Sequence, residues 1–115
     1  MEEDTIFDKI LRKEIPCSLV YEDEDVLAFN DVNPQAPVHV LVIPKQKIKS
    51  FHDFSEAENL FIGTYIKKIS YIAKHLGLAK TGYRIVFNHG PNGGQTVNYI
   101  HAHILGERQL GWPPG

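Results

Sequence analysis

Tyr99-Ile100-His101-Ala102-His103-Ile104-Leu105 is the stretch whose reading decides the fold and locates the chemistry. Side chains of a β-strand alternate between two faces, so Tyr99, His101 and His103 share one face while Ile100, Ala102 and Ile104 line the other. The second face is apolar and can be buried without help from the first. The histidines are not needed for the core, and two imidazoles side by side on a rigid strand predict a site.

The elements upstream follow from the same kind of reading. Gly90-Pro91-Asn92-Gly93-Gly94-Gln95-Thr96 is a loop, and residues 83–88 before it read as a strand. Ser55 with Glu58 three residues on has the form of a capping box. The long helix expected after it carries Leu60, Phe61, Tyr65, Ile66, Ile69, Ile72, Ala73 and Leu76 at helical spacing and stops at Gly77. Residues 38–43 form a strongly apolar strand ended by Pro44. Residues 18–21 and 26–29 form two short strands across the acidic turn Glu22-Asp23-Glu24-Asp25. Asp4 is the expected N-cap of a short helix whose apolar stripe is Ile6, Phe7, Ile10 and Leu11. Residues 108–115 follow neither period. The predicted class is α+β: an antiparallel sheet with one long helix across a face and one short helix at the start.

The 115 residues suit a single domain spanning 1–115. A composition of 43% hydrophobic and 23% charged residues is that of an ordinary globular protein. A net charge of -2 with interspersed signs gives no case for nucleic acid or a membrane surface as partner. No segment approaches the roughly 20 apolar residues that span a bilayer. Met1-Glu2-Glu3-Asp4 lacks a signal-peptide apolar stretch. Cys17 is the sole cysteine, which excludes an intrachain disulfide and a cysteine-based zinc cluster. The expected setting is cytoplasmic or nuclear.

Imidazole can act as nucleophile, proton donor or metal ligand. A histidine nucleophile suits phosphorus, because phosphohistidine is reactive enough for water to resolve. His39 lies on another strand, with Leu41 and Ile43 on its own face, and reaches His101 and His103 if the two strands pair. The glycines of the loop let backbone N–H groups approach an anion closely, with Asn88, Gln95 and Thr96 adding neutral donors. Asp31, in the proline-bounded loop Asn30-Asp31-Val32-Asn33-Pro34-Gln35-Ala36-Pro37, could accept from ribose hydroxyls. A zinc reading would use His101, His103 and His39. The sequence puts no carboxylate near them, and the phosphate reading needs neither a metal nor a cofactor.

The stretch from Asn88 onward, with Asp31 to His39, Leu41-Val42-Ile43-Pro44-Lys45 and the ending Trp112-Pro113-Pro114-Gly115, closely resembles the histidine triad (HIT) family. More narrowly it is similar to the Hint branch, the purine nucleoside phosphoramidases. The resemblance runs from Asp4-Thr5-Ile6-Phe7 to the end of the chain. It implies a sheet of about five strands, a homodimer whose sheets join, and hydrolysis of P–N bonds in compounds such as adenylyl-amines or adenylyl-lysine, through a nucleotidyl-histidine. By resemblance His101 is the nucleophile, and His103 contacts the phosphate and leaving group. His39 orients the nucleophile within the cluster. Asn88, Gly94, Gln95 and Thr96 contact the phosphate or leaving group, with Thr96 standing where serine is common. Asp31 holds the ribose, while Ile6, Phe7, Phe29, Val32 and Leu41 wall the purine. Trp112 reaches the neighbouring subunit's site.

One departure stands out. The family alternates three histidines, and the first is Tyr99 here. With His101 and His103 present, activity is expected to survive at a reduced level, Tyr99 partly substituting as a hydrogen-bonding phenol. The alternative is a purine nucleotide-binding or scaffold protein whose catalysis has been lost.

Overall fold

The computed structural model describes residues 3–115. Its elements are α1 (Ile6–Leu11), β1 (Leu19–Glu22), β2 (Val26–Asn30), β3 (Val38–Pro44), a 3-10 helix (Phe51–Glu56), α2 (Asn59–His75), β4 (Tyr83–Val86) and β5 (Ala102–Gly106). The five strands form one sheet in the order β1-β2-β3-β5-β4, every neighbour antiparallel. This is the α+β architecture expected, with α2 as the long helix.

Period-two alternation divides the core between the two sheet faces. Val26, Ala28, Val40, Val42, Ala102 and Ile104 face α2, which buries Tyr65, Ile69, Ile72 and Ala73 against them. Leu27, Phe29, Leu41 and Ile43 point the other way, where α1 contributes Phe7 and Ile10. The Tyr65 hydroxyl donates to the Val42 carbonyl at 2.7 Å and ties α2 to the central strand. Gly77, at φ +77°, ends α2 as expected, donating its N–H to Lys74.

Three local expectations are corrected. The N-cap of α1 is Thr5, not Asp4: Thr5 and Asp8 form a reciprocal capping box, while Asp4 is drawn to Arg12 at 2.8 Å. Ser55 and Glu58 form no capping box. Ser55 falls within the 3-10 helix and donates to the His52 carbonyl, and Glu58 caps α2 without a side-chain bond. Finally, β5 begins at Ala102, so His101 stands just before the ladder. The alternation nevertheless continues backward: Ile100 packs on the α2 side and Tyr99 on the α1 side. Similarly, β4 ends at Val86, short of Asn88.

Candidate functional site

The register of β3 against β5 builds the centre of the site. Leu41 lies opposite His103 and His39 opposite Leu105, so His39 and His103 are diagonal neighbours on one face. Their rings meet, His39 Nε2 lying 2.8 Å from His103 Nδ1. His101 follows on the same face, its ring centroid 5.0 Å from that of His103. Three imidazoles therefore converge as the strand pattern predicted.

Hydrogen bonds assign the protons. The backbone N–H of Gln35 donates to His39 Nδ1 at 3.0 Å. The His39 proton is therefore on Nε2 and donates to His103 Nδ1. The His103 proton must then sit on Nε2, the sole buried side-chain polar atom among the described residues with no partner. His101 Nδ1 lies 2.8 Å from the Tyr99 carbonyl oxygen, which can only accept. Nδ1 of His101 is thus protonated and its Nε2 holds a free lone pair. The site presents a nucleophilic nitrogen next to an unspent N–H donor.

Burial keeps the cluster neutral. His39 and His101 are only 5% and 7% exposed. Desolvation lowers both pKa values, partly opposed at His39 by the Asp31 carboxylate and at His101 by the Tyr99 carbonyl and then Asp31. His103 is pushed down to about 4, first by burial and then by repulsion from His101 and His39. An unfolded chain with ordinary histidines binds protons below about pH 6.5 that the folded site refuses. Stability should be full above that pH and fall from there toward pH 4. Thermal melts between pH 7.5 and 4.5 should show Tm dropping about 4–8 °C per kcal/mol lost. A smaller drop in His103→Gln is expected, and a flat wild-type Tm would contradict the neutral assignment.

Tyr99 acts in two ways. Its carbonyl orients His101, and its phenol, fully buried, donates to the Pro44 carbonyl at the end of β3. The phenol is committed there, which corrects the expectation that it stands in for an imidazole. Phe7 packs edge-on against both Tyr99 and His101, with centroids at 6.2 and 4.9 Å. Lys47 pairs with Asp8 at 2.8 Å and lies 5.8 Å over the Tyr99 ring, linking α1 to the same cluster.

Of the expected purine wall, Phe7, Phe29 and Leu41 are gathered in the buried α1-side cluster. Ile6 and Val32 are exposed, Val32 completely, so they offer rim surface rather than floor. Asp31 sits 3.4 Å from His39 Nε2 through one carboxylate oxygen. In the loop, the Asn88 amide donates to Gly93 O at 2.6 Å. The Gln95 amide nitrogen is spent on the Lys49 and Val97 carbonyls at 2.8 and 3.0 Å. Gln95 therefore shapes the loop instead of offering a free donor, a correction to its expected role. Thr96 is exposed, and so is Trp112.

Gly93 is sterically required: a Cβ there would lie 2.2 Å from the His89 carbonyl oxygen. Gly93→Ala should weaken AMP binding about tenfold or more, or 1.4 kcal/mol, by opening the loop. Calorimetric titration checks this, and an unchanged Kd would show that the loop does not hold the ligand.

Asp31, His39 and His103 bring one donor atom each within 4.8 Å of one another. This corrects the zinc reading on two counts: the group contains a carboxylate, and His101 is outside it. Nitrogens sharing a tetrahedral zinc stand about 3.3 Å apart with both lone pairs on the metal. Here they are 2.8 Å apart and directed at each other, the arrangement of a hydrogen-bonded pair.

Sequence reasoning missed the contributions of Gln35, Pro44 and the Tyr99 carbonyl. All are main-chain groups, which every residue carries and no residue type advertises.

The HIT domain matches residues 12–110. The 14 kDa zinc-binding protein of Zea mays is 53% identical over 116 residues, covering 96% of this chain and 88% of its own. Adenylylsulfatase HINT1 of Arabidopsis thaliana is 50% identical over 114 residues, covering 96% and 76%. The crystal structure of a HIT family hydrolase from Legionella pneumophila superposes with a TM-score of 0.90 at 44% identity, covering 96% of this chain and 98% of that one. The chain belongs to the histidine triad (HIT) family.

Proposed function

We propose that the chain hydrolyses purine nucleoside monophosphate amides, cleaving the P–N bond through a nucleotide carried on His101. The observation behind this reading is the pairing of a free Nε2 lone pair on His101 with the unspent Nε2–H of His103. The base rests on Phe7, Phe29 and Leu41, with Ile6 and Val32 at the rim, and Asp31 holds the ribose. The loop at Gly94, with Asn88 and Thr96 alongside, receives the phosphate.

His101 Nε2 attacks phosphorus, and the P–N electron pair leaves on nitrogen. His103 cannot become an imidazolium while His39 donates to its Nδ1. The amine therefore departs from the N-protonated form of the substrate, and His103 donates to charge building on phosphate oxygen. Water then attacks phosphorus, the P–Nε2 bond breaks with its electron pair returning to His101, and AMP leaves as the water's proton passes to solvent. The charged side chain that faces the histidines is the Asp31 carboxylate, 3.4 Å from His39 Nε2, and Lys47 is paired with Asp8. That suits a singly charged phosphoramidate better than a dianionic phosphomonoester. A sulfate leaving group, as the name of the Arabidopsis relative indicates for that protein, needs no proton and fits the same site.

The active unit in this reading is a homodimer. β4 is an edge strand with Tyr83 and Ile85 exposed, which suits joining of two sheets, and the exposed Trp112 tail is free to reach a partner.

AMP release from adenosine 5′-phosphoramidate in excess chelator tests the reading. Turnover is the expected result. AMP binding without turnover would make the chain a nucleotide-binding protein. Because the backbone, not the side chain, of residue 99 orients His101, Tyr99→His should change kcat by less than about tenfold, the low end of outer-shell effects. A hundredfold gain would mean that the missing imidazole limits catalysis.

A further inference from the structure

The loop from Asp31 to Pro37 closes around the His39 ring from both sides. Its Gln35 N–H donates to Nδ1 at 3.0 Å, and its Asp31 Oδ2 faces Nε2 at 3.4 Å. Asp31 is fixed in this position by two further bonds. Its own N–H donates to the His39 carbonyl at 2.9 Å, and its Oδ1 accepts from Asn33 N–H at 2.8 Å. Arg108 clamps the loop from outside by donating to the Gln35 carbonyl at 2.9 Å.

A carboxylate can only accept, so its presence at Nε2 favours the tautomer with the proton there. That proton also points to His103 Nδ1 at 2.8 Å. With Nδ1 of His103 occupied as an acceptor, its one proton must face the reacting phosphate.

We propose that Asp31 is a positioning residue for His103: acting through His39, its carboxylate joins the Gln35 N–H in fixing on which nitrogen His103 carries its proton. This rests on the proposed role of His103 as a donor, and it is separate from the ribose contact assigned to Asp31. A substrate's ribose and its reacting phosphate would then be sensed by one carboxylate.

The two roles separate with a substrate that has no ribose hydroxyls, 2′,3′-dideoxyadenosine 5′-phosphoramidate. Asp31→Asn is the sharper variant. Its amide oxygen keeps the Asn33 bond, so its NH2 takes the place of Oδ2 and opposes the His39 Nε2–H, donor against donor. Asp31→Ala removes the partner without opposing it and serves if the first does not fold. On the dideoxy substrate, kcat should fall about 10–100-fold with KM unchanged, the range of outer-shell losses at metal-bound histidines.

Imidazole 15N spectra of the free protein supply a readout that needs no turnover. Wild type should show His39 and His103 each with the proton on Nε2, and either variant should show a mixture. Unmoved His39 and His103 signals would overturn the proposal, as would moved signals with kcat unaltered on the dideoxy substrate. If wild type turns over no phosphoramidate, the functional reading fails while the spectra still decide whether Asp31 sets the tautomers.

Discussion

His101→Ala should lose about 10⁴–10⁶ in kcat on adenosine phosphoramidate, the scale seen when a covalent nucleophile is removed, while AMP binding stays within a few-fold. The loss would be of a route, not of a contact. Neither His103 nor His39 can replace Nε2 of His101, because each is held in the hydrogen-bonded pair they form together. The structural cost is modest. Alanine leaves the Tyr99 carbonyl without its donor and opens space beside Phe7, about 1–3 kcal/mol for one unsatisfied buried group. Two measurements separate lost chemistry from damage. Quenching wild type with labelled substrate in alkaline denaturant should trap a base-stable, acid-labile nucleotidyl-histidine that His101→Ala lacks. His101→Gly should regain part of its turnover in added imidazole. Turnover by His101→Ala within tenfold of wild type would remove His101 as the nucleophile.

Much of the molecule was legible because burial imposes a period. The face shared by Ile100, Ala102 and Ile104, and the helix carrying Tyr65, Ile69 and Ile72, had to be covered by something, and they cover each other. The local misreadings have physical causes. Asp4 and Thr5 are both good caps, and a bidentate bond from Arg12 decided between them. Ser55 and Glu58 fit a helix start, but Phe51 and Phe54 pack on Phe87, with ring centroids at 5.6 and 6.1 Å. That tertiary contact accompanies a 3-10 turn where the capping box was expected.

The site was legible in its side chains and opaque in its protons. Alternation placed His101, His103 and His39 on one face, and the structure gathers them. Nothing in the residue types says that Gln35 offers its N–H to His39, or that Tyr99 orients His101 through its carbonyl. Those bonds decide which nitrogen is a nucleophile and which is a donor. They also change the meaning of the tyrosine at position 99. Read as a side chain it is a lost histidine, whereas in the structure it keeps the backbone acceptor that His101 uses and anchors it to Pro44.

His103→Ala is the second large effect and the one that tests the assigned proton. Removing one preorganised donor from charge developing in the transition state costs about 10²–10³ in kcat. KM should move little, since the donor is spent on charge that the ground state lacks. If His103 is a donor to phosphate oxygen, the loss is the same factor whether an amine or sulfate leaves. If it were an acid, amine departure would suffer far more than sulfate departure, because only the amine needs a proton. Measuring kcat for adenosine phosphoramidate and adenylyl sulfate in wild type and His103→Ala therefore distinguishes the two roles. Equal factors are expected, for the same reason that burial holds His103 near pKa 4: a ring that refuses a second proton in the folded state has none to give at neutral pH.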